Sequence, residues 1–484
     1  MSAAPARWGA LFSGGNAPRT LVLAGGVALH AVNLYIATTI LPSVVRDIGG
    51  LDYYAWSTTL FVAASILGAS LSGGLLGRAG VRGAYGFAAA LFAAGSLACG
   101  LAPAMPVLLA GRCAQGLGGG VLLALSYAMI RLVFAEALWP RAMGLVSAMW
   151  GAATLVGPAV GGLFAEWGAW RAAFWSLVPV TGLFVGLAAS VLPRDARVPA
   201  PSPLAWRRIL LLTTMVMAVS AGSVGSRPGW NLAGLAGFGL LAAWLVRLEA
   251  GEGGGPRLFP TGALRPGTKL NALYAMMSLL AVTVTTSEIF APLFLQRLQG
   301  RSPLVAGYLA ALMSGAWSVG SVASAGMRGP ATSRALIAAP LLGLAGMAAL
   351  AILVPAPSAG GRDVLLPICL ALMSVGFGGG LAWPHLLTRA LRATPAHQRD
   401  LAASSLTSLQ LFATALAAAL AGMVANLAGL SVPGGVAGTA AAAFWLFAVF
   451  AAAPALGLVT AVRIVRRGRA RNVPTGRETA VPEG

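Results

Sequence analysis

Residues 147–175 read SAMWGAATLVGPAVGGLFAEWGAWRAAFW, a long apolar run punctuated by Gly151, Gly157, Pro158, Gly161 and Gly162. Inside a helix in water a Pro costs about 3 kcal/mol and each Gly up to about 1 kcal/mol relative to Ala. A lipid setting changes that outcome. Neighbouring helices re-satisfy the carbonyl that Pro frees, and small residues let two helix backbones approach closely. Trp167 to Arg171 then make a short aromatic, charged turn suited to a membrane interface, and Phe174 opens the next apolar run. The stretch predicts a bent, Gly-faced membrane hairpin, with Gly157, Pro158, Gly161 and Gly162 as a hinge where two packed halves rock or seal. On that reading Pro158→Ala or Gly161→Leu cripples the conformational exchange without emptying the membrane of protein.

Composition agrees. The 484 residues are 58% hydrophobic and 9% charged, against about 25% charged in soluble domains. The expected fold class is an all-α polytopic membrane protein. A formal charge of +20 raises nucleic acid as a partner, but the basic residues fall in short clusters between apolar runs. That is the positive-inside pattern and not a basic groove, so no nucleic-acid partner is expected. Cys99, Cys113 and Cys369 lie in apolar runs with no C-x-x-C pair, implying neither disulfide nor metal. Arg7 and Arg19 precede a hydrophobic run longer than the roughly 7–15 residues of a signal-peptide core, which predicts an uncleaved first span.

Counting apolar runs of about 20 residues predicts fourteen spans, at 20–42, 56–77, 84–102, 105–131, 141–165, 170–192, 208–225, 230–248, 270–297, 303–326, 333–354, 364–390, 401–428 and 438–463. With the N-terminus inside, 25 of the 32 Lys and Arg fall on the inner side, six on the outer side, and Arg112 alone within a span. This bias predicts that both termini are cytoplasmic in a plasma (inner) membrane. The expected organisation is a cytoplasmic N-terminus (1–19), a six-helix bundle (20–192) and a Pro-rich cytoplasmic linker (193–207). An extra two-helix hairpin (208–248), a Gly-rich cytoplasmic loop (249–269), a second six-helix bundle (270–463) and a tail (464–484) follow. The tail is basic, then Pro/Gly/Glu-rich, which predicts contact with anionic lipid headgroups and then disorder. Two six-helix halves around a midplane site are the layout of many secondary transporters, and a monomer is expected.

Of the twelve acids only Glu288 lies inside a span. A carboxylate in hydrocarbon costs about 2.5–3.5 kcal/mol even on the lenient insertion scale, so it should face a cavity or a partner. At helical spacing it shares a face with Ser278, Ala281, Thr285 and Pro292, a small and polar stripe fit to line water. A packing role, tied to backbone or to a neighbouring Thr, is the plainer alternative. Arg112 and Gln115 stand three apart in LLAGRCAQGLGGG (108–120), facing one way. Arg112 either enters the cavity or snorkels to the outer interface. His30 and Asn33 are likewise three apart on the first span. GFGGG (376–380), then Trp383, Pro384 and His385, reads as a broken helix near a site, whereas Met313 and Trp317 read as packing. The chain has no P-loop, no zinc spacing and no nucleophile elbow. An ATP-driven pump or a membrane enzyme is thereby excluded, and no cofactor or metal is expected.

Four stretches resemble motifs of the drug:proton antiporters of the major facilitator superfamily, in their fourteen-span branch. Gly157-Pro158, Gly161-Gly162 and Trp170-Arg171 with Phe174 are similar to the motif on the fifth span. Arg112 with Gln115-Gly116 resembles the fourth-span motif, NLYIATTILP (33–42) the first-span motif, and GGLLGRAGVRG (73–83) the loop between spans two and three. The resemblance implies efflux of a small amphipathic substrate in exchange for protons by alternating access. It also implies that Arg112 takes part in proton transfer, and that Gly73, Arg78, Gly80 and Arg82 form a cytoplasmic gate loop. The chain departs from the family in two places, with Asn33 where the first-span acid stands and Gly77 where the loop carries Asp. The cytoplasmic latch must then be weaker or differently made. We expect the proton-carrying carboxylate to have moved to Glu288, tuned by the charge of Arg112. His30, Asn33, Gln115, Thr285, Trp383 and His385 should line the substrate cavity. The alternatives are an uncoupled facilitator, and a non-transporting sensor or assembly protein on the same fold.

Overall fold

In lipid every backbone polar group must be satisfied within the chain, so apolar runs of this length become helices. The computed structural model describes residues 8–192, 205–225, 227–251, 255–356 and 361–470, and no strand occurs among them. Most of the linker and the final tail residues fall outside that set. The helices are α1 (Asn16–Ile48), α2 (Trp56–Gly100), α3 (Met105–Val133), α4 (Trp139–Glu166), α5 (Trp170–Trp175), α6 (Leu177–Val191), α7 (Trp206–Gly222) and α8 (Pro228–Ala250). The remainder are α9 (Lys269–Arg297), α10 (Pro303–Ala325), α11 (Pro330–Leu353), α12 (Arg362–Ala393), α13 (Arg399–Leu427), α14 (Gly435–Phe450) and α15 (Ala452–Ala470).

Among the described residues, twelve helical segments are long and apolar enough to cross a membrane, two fewer than the fourteen expected. The second and third predicted spans run on as one 50-residue segment, Leu51–Gly100. It turns at Gly80, whose φ of 67° and ψ of −179° suit only a residue without Cβ. The 17-residue α7 is shorter than the about 20 residues a crossing usually takes. Two other predicted spans are each interrupted, α5 from α6 at Ser176 and α14 from α15 at Ala451.

The first six predicted spans pack as one half, with α3 laid along α2 and α4 along α1. The last six pack as the other, built on α10 and α11 against α12 and on α9 against α13 and α15. The halves meet along two seams, α4 with α10 and α2 with α13. The extra hairpin covers the second seam. Val216 and Val219 of α7 join Phe61 and Val62 of α2 and Ala415, Ala419 and Met423 of α13 in one apolar cluster. At one end of that seam Asn426 Nδ2 donates to the carbonyls of Asp52 and Ser223, both at 2.9 Å, tying α13 to each neighbour. The base of the hairpin is pinned by a buried ion pair, Arg208 Nε to Glu249 Oε1 at 2.8 Å.

One local expectation fails. The GFGGG stretch does not break its helix, because α12 is continuous from Arg362 to Ala393. A Cβ at Gly376 would overlap the Met313 carbonyl, and one at Gly380 the carbonyl of Trp317. The glycines serve close approach of α10 to α12, a packing role available only to residues this small.

Candidate functional site

Two polar networks lie inside the helix bundle. The first is built on Arg112 of α3, which has no exposed surface. Nη1 donates to Gln115 Oε1 at 2.8 Å and to Asn33 Oδ1 at 3.3 Å, and Nε donates to the Ser57 carbonyl at 3.2 Å. Gln115 Nε2 in turn donates to Ser96 Oγ at 2.9 Å. The guanidinium lies over the Phe61 ring, 4.2 Å from its centroid. The other side of the chain of rings is His30, 5.0 Å from Phe61 and 6.0 Å from Trp150. Arg112 therefore does not snorkel outward. Charge-assisted hydrogen bonds of about 1.5–3 kcal/mol each, with the ring face, offset the desolvation of its charge. Among the described residues no carboxylate forms an ion pair with it. Arg112 Nη2 and Asn33 Nδ2 keep unspent hydrogens.

The second network is built on Glu288 of α9, which is half-buried. Ser314 Oγ of α10 donates to Glu288 Oε1 at 3.4 Å, and the Tyr35 hydroxyl of α1 stands 3.4 Å from Ser314 Oγ. Tyr35 also faces the carboxylate itself. Thr285, one turn away, reaches Thr414 Oγ1 of α13 at 3.5 Å. Sequence reasoning set Arg112 beside Glu288, whereas the structure gives each its own partners. No hydrogen bond or ion pair joins them. Their helices point them to different neighbours, a relation that depth along a helix does not encode. Tyr35 and Ser314 were missed. Tyr35 lies in the same first-span stretch as Asn33, and a hydroxyl inside a span was the available signal.

The Gly-Pro stretch lies between these networks and the seam. A Cβ at Gly157 would run into Tyr35 Cβ, and one at Gly161 would stand 3.0 Å from the Ile36 carbonyl. The same construction at Gly162 meets Leu304 Cα of α10 at 2.5 Å. From the opposite wall, a Cβ at Gly307 would lie 2.7 Å from Thr39 and 3.1 Å from Pro158. Thus α4 touches α1 with one stripe and α10 of the other half with the next. The turn that follows is clamped by Asp47, which accepts from Arg171 Nη1 at 2.5 Å and from Trp170 Nε1 at 3.1 Å. Nearby, Tyr54 donates to the Ile289 carbonyl at 3.4 Å, and its ring packs 5.2 Å from Phe290. This end of the seam is closed by backbone-to-backbone contact.

The other end is held more lightly. The gate-loop glycine Gly80 makes the turn, Gly73 is half-buried, Arg78 is exposed, and Arg82 donates to the Leu192 carbonyl of its own half. The ion pair found across the halves here is Arg131 with Asp400, 3.6 Å apart and 65% and 93% exposed. Such an exposed pair contributes about 0–1 kcal/mol. On α12, Trp383 packs on Trp317 with ring centroids 5.4 Å apart, and His385 is half-buried one turn before Arg389. A groove of about 540 Å³ runs along the α4–α10 seam, lined by Leu155, Tyr308, Leu312, Val319 and Phe377 among others. None of the six residues expected to line a substrate cavity borders it.

Crossing-length helices in two packed halves, with polar networks among them, define a multi-pass integral membrane protein. The family model described as Major Facilitator Superfamily matches residues 23–418, and the chain belongs to that superfamily, whose members are transporters and not enzymes. A Mycobacterium tuberculosis protein named "probable multidrug-efflux transporter" is 37% identical over 466 residues, covering 93% of this chain and 95% of the relative. The tetracenomycin C resistance and export protein of Streptomyces glaucescens is 29% identical over 314 residues, 63% of this chain and 58% of its own length. Among solved structures, a POT peptide transporter with alafosfalin superposes with a TM-score of 0.67 at 15% identity, over 93% of this chain and 95% of its own. A D-xylose-proton symporter gives 0.63, again at 15% identity, over 92% and 96%. At such identities the superpositions speak for the fold alone.

Proposed function

We propose that this chain exports small amphipathic compounds in exchange for protons by alternating access, with Glu288 as the proton carrier. The observation that carries the reading is the placement of Glu288: the acid inside a span is hydrogen-bonded through Ser314 towards Tyr35 of the other half. A carboxylate so placed changes its bonds across the halves when it takes a proton. The relatives named for multidrug efflux and for tetracenomycin C export support the substrate class and the direction. In this reading Arg112, Asn33, Gln115 and His30 line one side of the substrate path, and Thr285, Trp383 and His385 the other. The test is flux in everted vesicles with an imposed pH gradient. One pH unit per exchanged proton sustains about tenfold accumulation, and wild-type protein should approach that ratio. Equal internal and external substrate at every gradient would leave an uncoupled facilitator.

The proposal includes the topology. Division of Leu51–Gly100 at Gly80 into two crossings, with α7 as a crossing of its own, makes fourteen spans and puts both termini in the cytoplasm of the plasma membrane. The protein then acts as a monomer, with the basic residues after Ile464 against anionic headgroups. Cysteines introduced at Gly255 and Gly229, in a background without the native ones, read this directly. An impermeant maleimide added to whole cells should label Gly229→Cys and spare Gly255→Cys. The reverse pattern overturns the span count.

A further inference from the structure

In the Glu288 network the carboxylate oxygens can only accept. Ser314 has one hydroxyl hydrogen and gives it to Glu288. The Tyr35 hydroxyl stands 3.4 Å from Ser314 Oγ and also faces the carboxylate, so its one hydrogen is given to one of these two oxygens. Tyr35 of one half is thereby linked to Glu288 of the other, directly or by way of Ser314, and the donation ends on a carboxylate oxygen. When Glu288 is a carboxylate the terminal bond is charge-assisted, and such bonds are roughly twice as strong as neutral ones. When Glu288 is protonated that assistance disappears, and the new carboxyl hydrogen competes for the same Ser314 oxygen.

Tyr35 is also built into the seal. Its Cβ fills the space over Gly157, and its carbonyl accepts from Thr38 Oγ1 at 3.1 Å and Thr39 Oγ1 at 2.8 Å. Thr39 in turn faces Gly307 across the seam. One residue thus touches the acid network through its hydroxyl and the α1–α4–α10 seal through its backbone. The two contacts of the hydroxyl chain, at 3.4 Å each, are near the outer limit for hydrogen bonds, so a small displacement of α1 against α10 breaks them.

We propose that Tyr35 and Ser314 are positioning residues that pass the protonation state of Glu288 to the seal between the halves. The unprotonated acid holds the seal shut, so the empty carrier does not slip back across the membrane. The protonated acid releases it. This rests on the proton-coupled reading of Glu288 given above. The titratable groups on the packed helices are His30, Tyr35 and the end residues Arg19, Arg46 and Asp47 on α1; Tyr308 on α10; and Cys369, His385 and end charges on α12. On α11, α13 and α15 they are end charges only, and α14 has none. Of all these, Tyr35 meets Glu288.

The test uses full-length protein in nanodiscs with the three native cysteines replaced. Spin labels are placed at the exposed sites Leu101→Cys and Val432→Cys, one in each half, and inter-label distances are measured by pulsed electron resonance in alkaline and acidic buffer. In the parent the ratio of separated to sealed populations should rise about tenfold on acidification. In Tyr35→Phe and in Ser314→Ala it should change less than about twofold, as it should in Glu288→Gln. A merely structural role would displace the ratio equally at both pH values and leave the pH response intact. A response retained in Tyr35→Phe and Ser314→Ala overturns the bridge while leaving proton coupling standing. A parent that seals on acidification overturns the bridge alone, and a parent that does not respond at all overturns it together with the coupled reading.

Discussion

Glu288→Gln should abolish uphill transport driven by a pH gradient while leaving downhill substrate exchange within about twofold of wild type. Gln keeps the shape and still accepts from Ser314, so the helix packing around α9 persists. What it loses is the ability to take up and release a proton. With one pH unit imposed, accumulation should fall from about tenfold to parity, a change of about 1.4 kcal/mol in the supported gradient. The measurement is substrate distribution in proteoliposomes at matched protein content, paired with counterflow to show that the site still binds and crosses. Accumulation that survives in Glu288→Gln makes the carboxylate a packing group, the plainer alternative that its place inside a span always allowed. Asn33→Asp added to this variant probes the relocation directly. Asn33 bonds to Arg112, so the new acid would form an ion pair there. Rescue should then be weak, because a carboxylate held by a buried guanidinium resists protonation.

Gly162→Leu should lower the transport rate by about 10–100-fold at equal membrane abundance, the kinetic equivalent of about 1–3 kcal/mol of overpacking. Its first side-chain carbon already meets the α10 backbone at Leu304 Cα, 2.5 Å away, and backbone yields less readily than a side-chain tip. The added bulk wedges the halves apart at the closed end. Labelling of a cysteine placed at Leu304 from outside should increase in parallel. The internal control is Gly151→Leu. Gly151 belongs to the same run of α4, yet a Cβ there meets nothing within 4 Å, so transport should stay within about twofold of wild type. Equal damage from both substitutions would mean that helix flexibility, and not contact between the halves, is what the glycines supply.

The contrast between Gly151 and Gly162 marks the boundary of what a linear reading reaches. The all-helical membrane class and most of the helix positions, though not the count of crossings, followed from the sequence, because lipid leaves apolar runs no other way to satisfy their backbone. So did the isolation of Glu288 and Arg112 inside spans, since a charge in hydrocarbon is conspicuous by its cost alone. The Gly-Pro stretch was legible as a close-packing device for the same reason. Which glycine meets which helix was not. Helix periodicity assigns a residue to a face, but the neighbour on that face belongs to a segment that can be 100 or more residues away. Only the assembled bundle put Leu304 over Gly162, gave Arg112 to Asn33 and Gln115, and brought Tyr35 and Ser314 to Glu288. Tertiary contact likewise turned GFGGG from an expected break into a continuous helix, because the small residues are filled by the α10 backbone and leave no gap. The cover that α7 places over one seam is of the same kind. Its apolar residues read simply as a span, and their apposition to α2 and α13 follows from the packing of three separate segments, where van der Waals fit and not local propensity decides the partner.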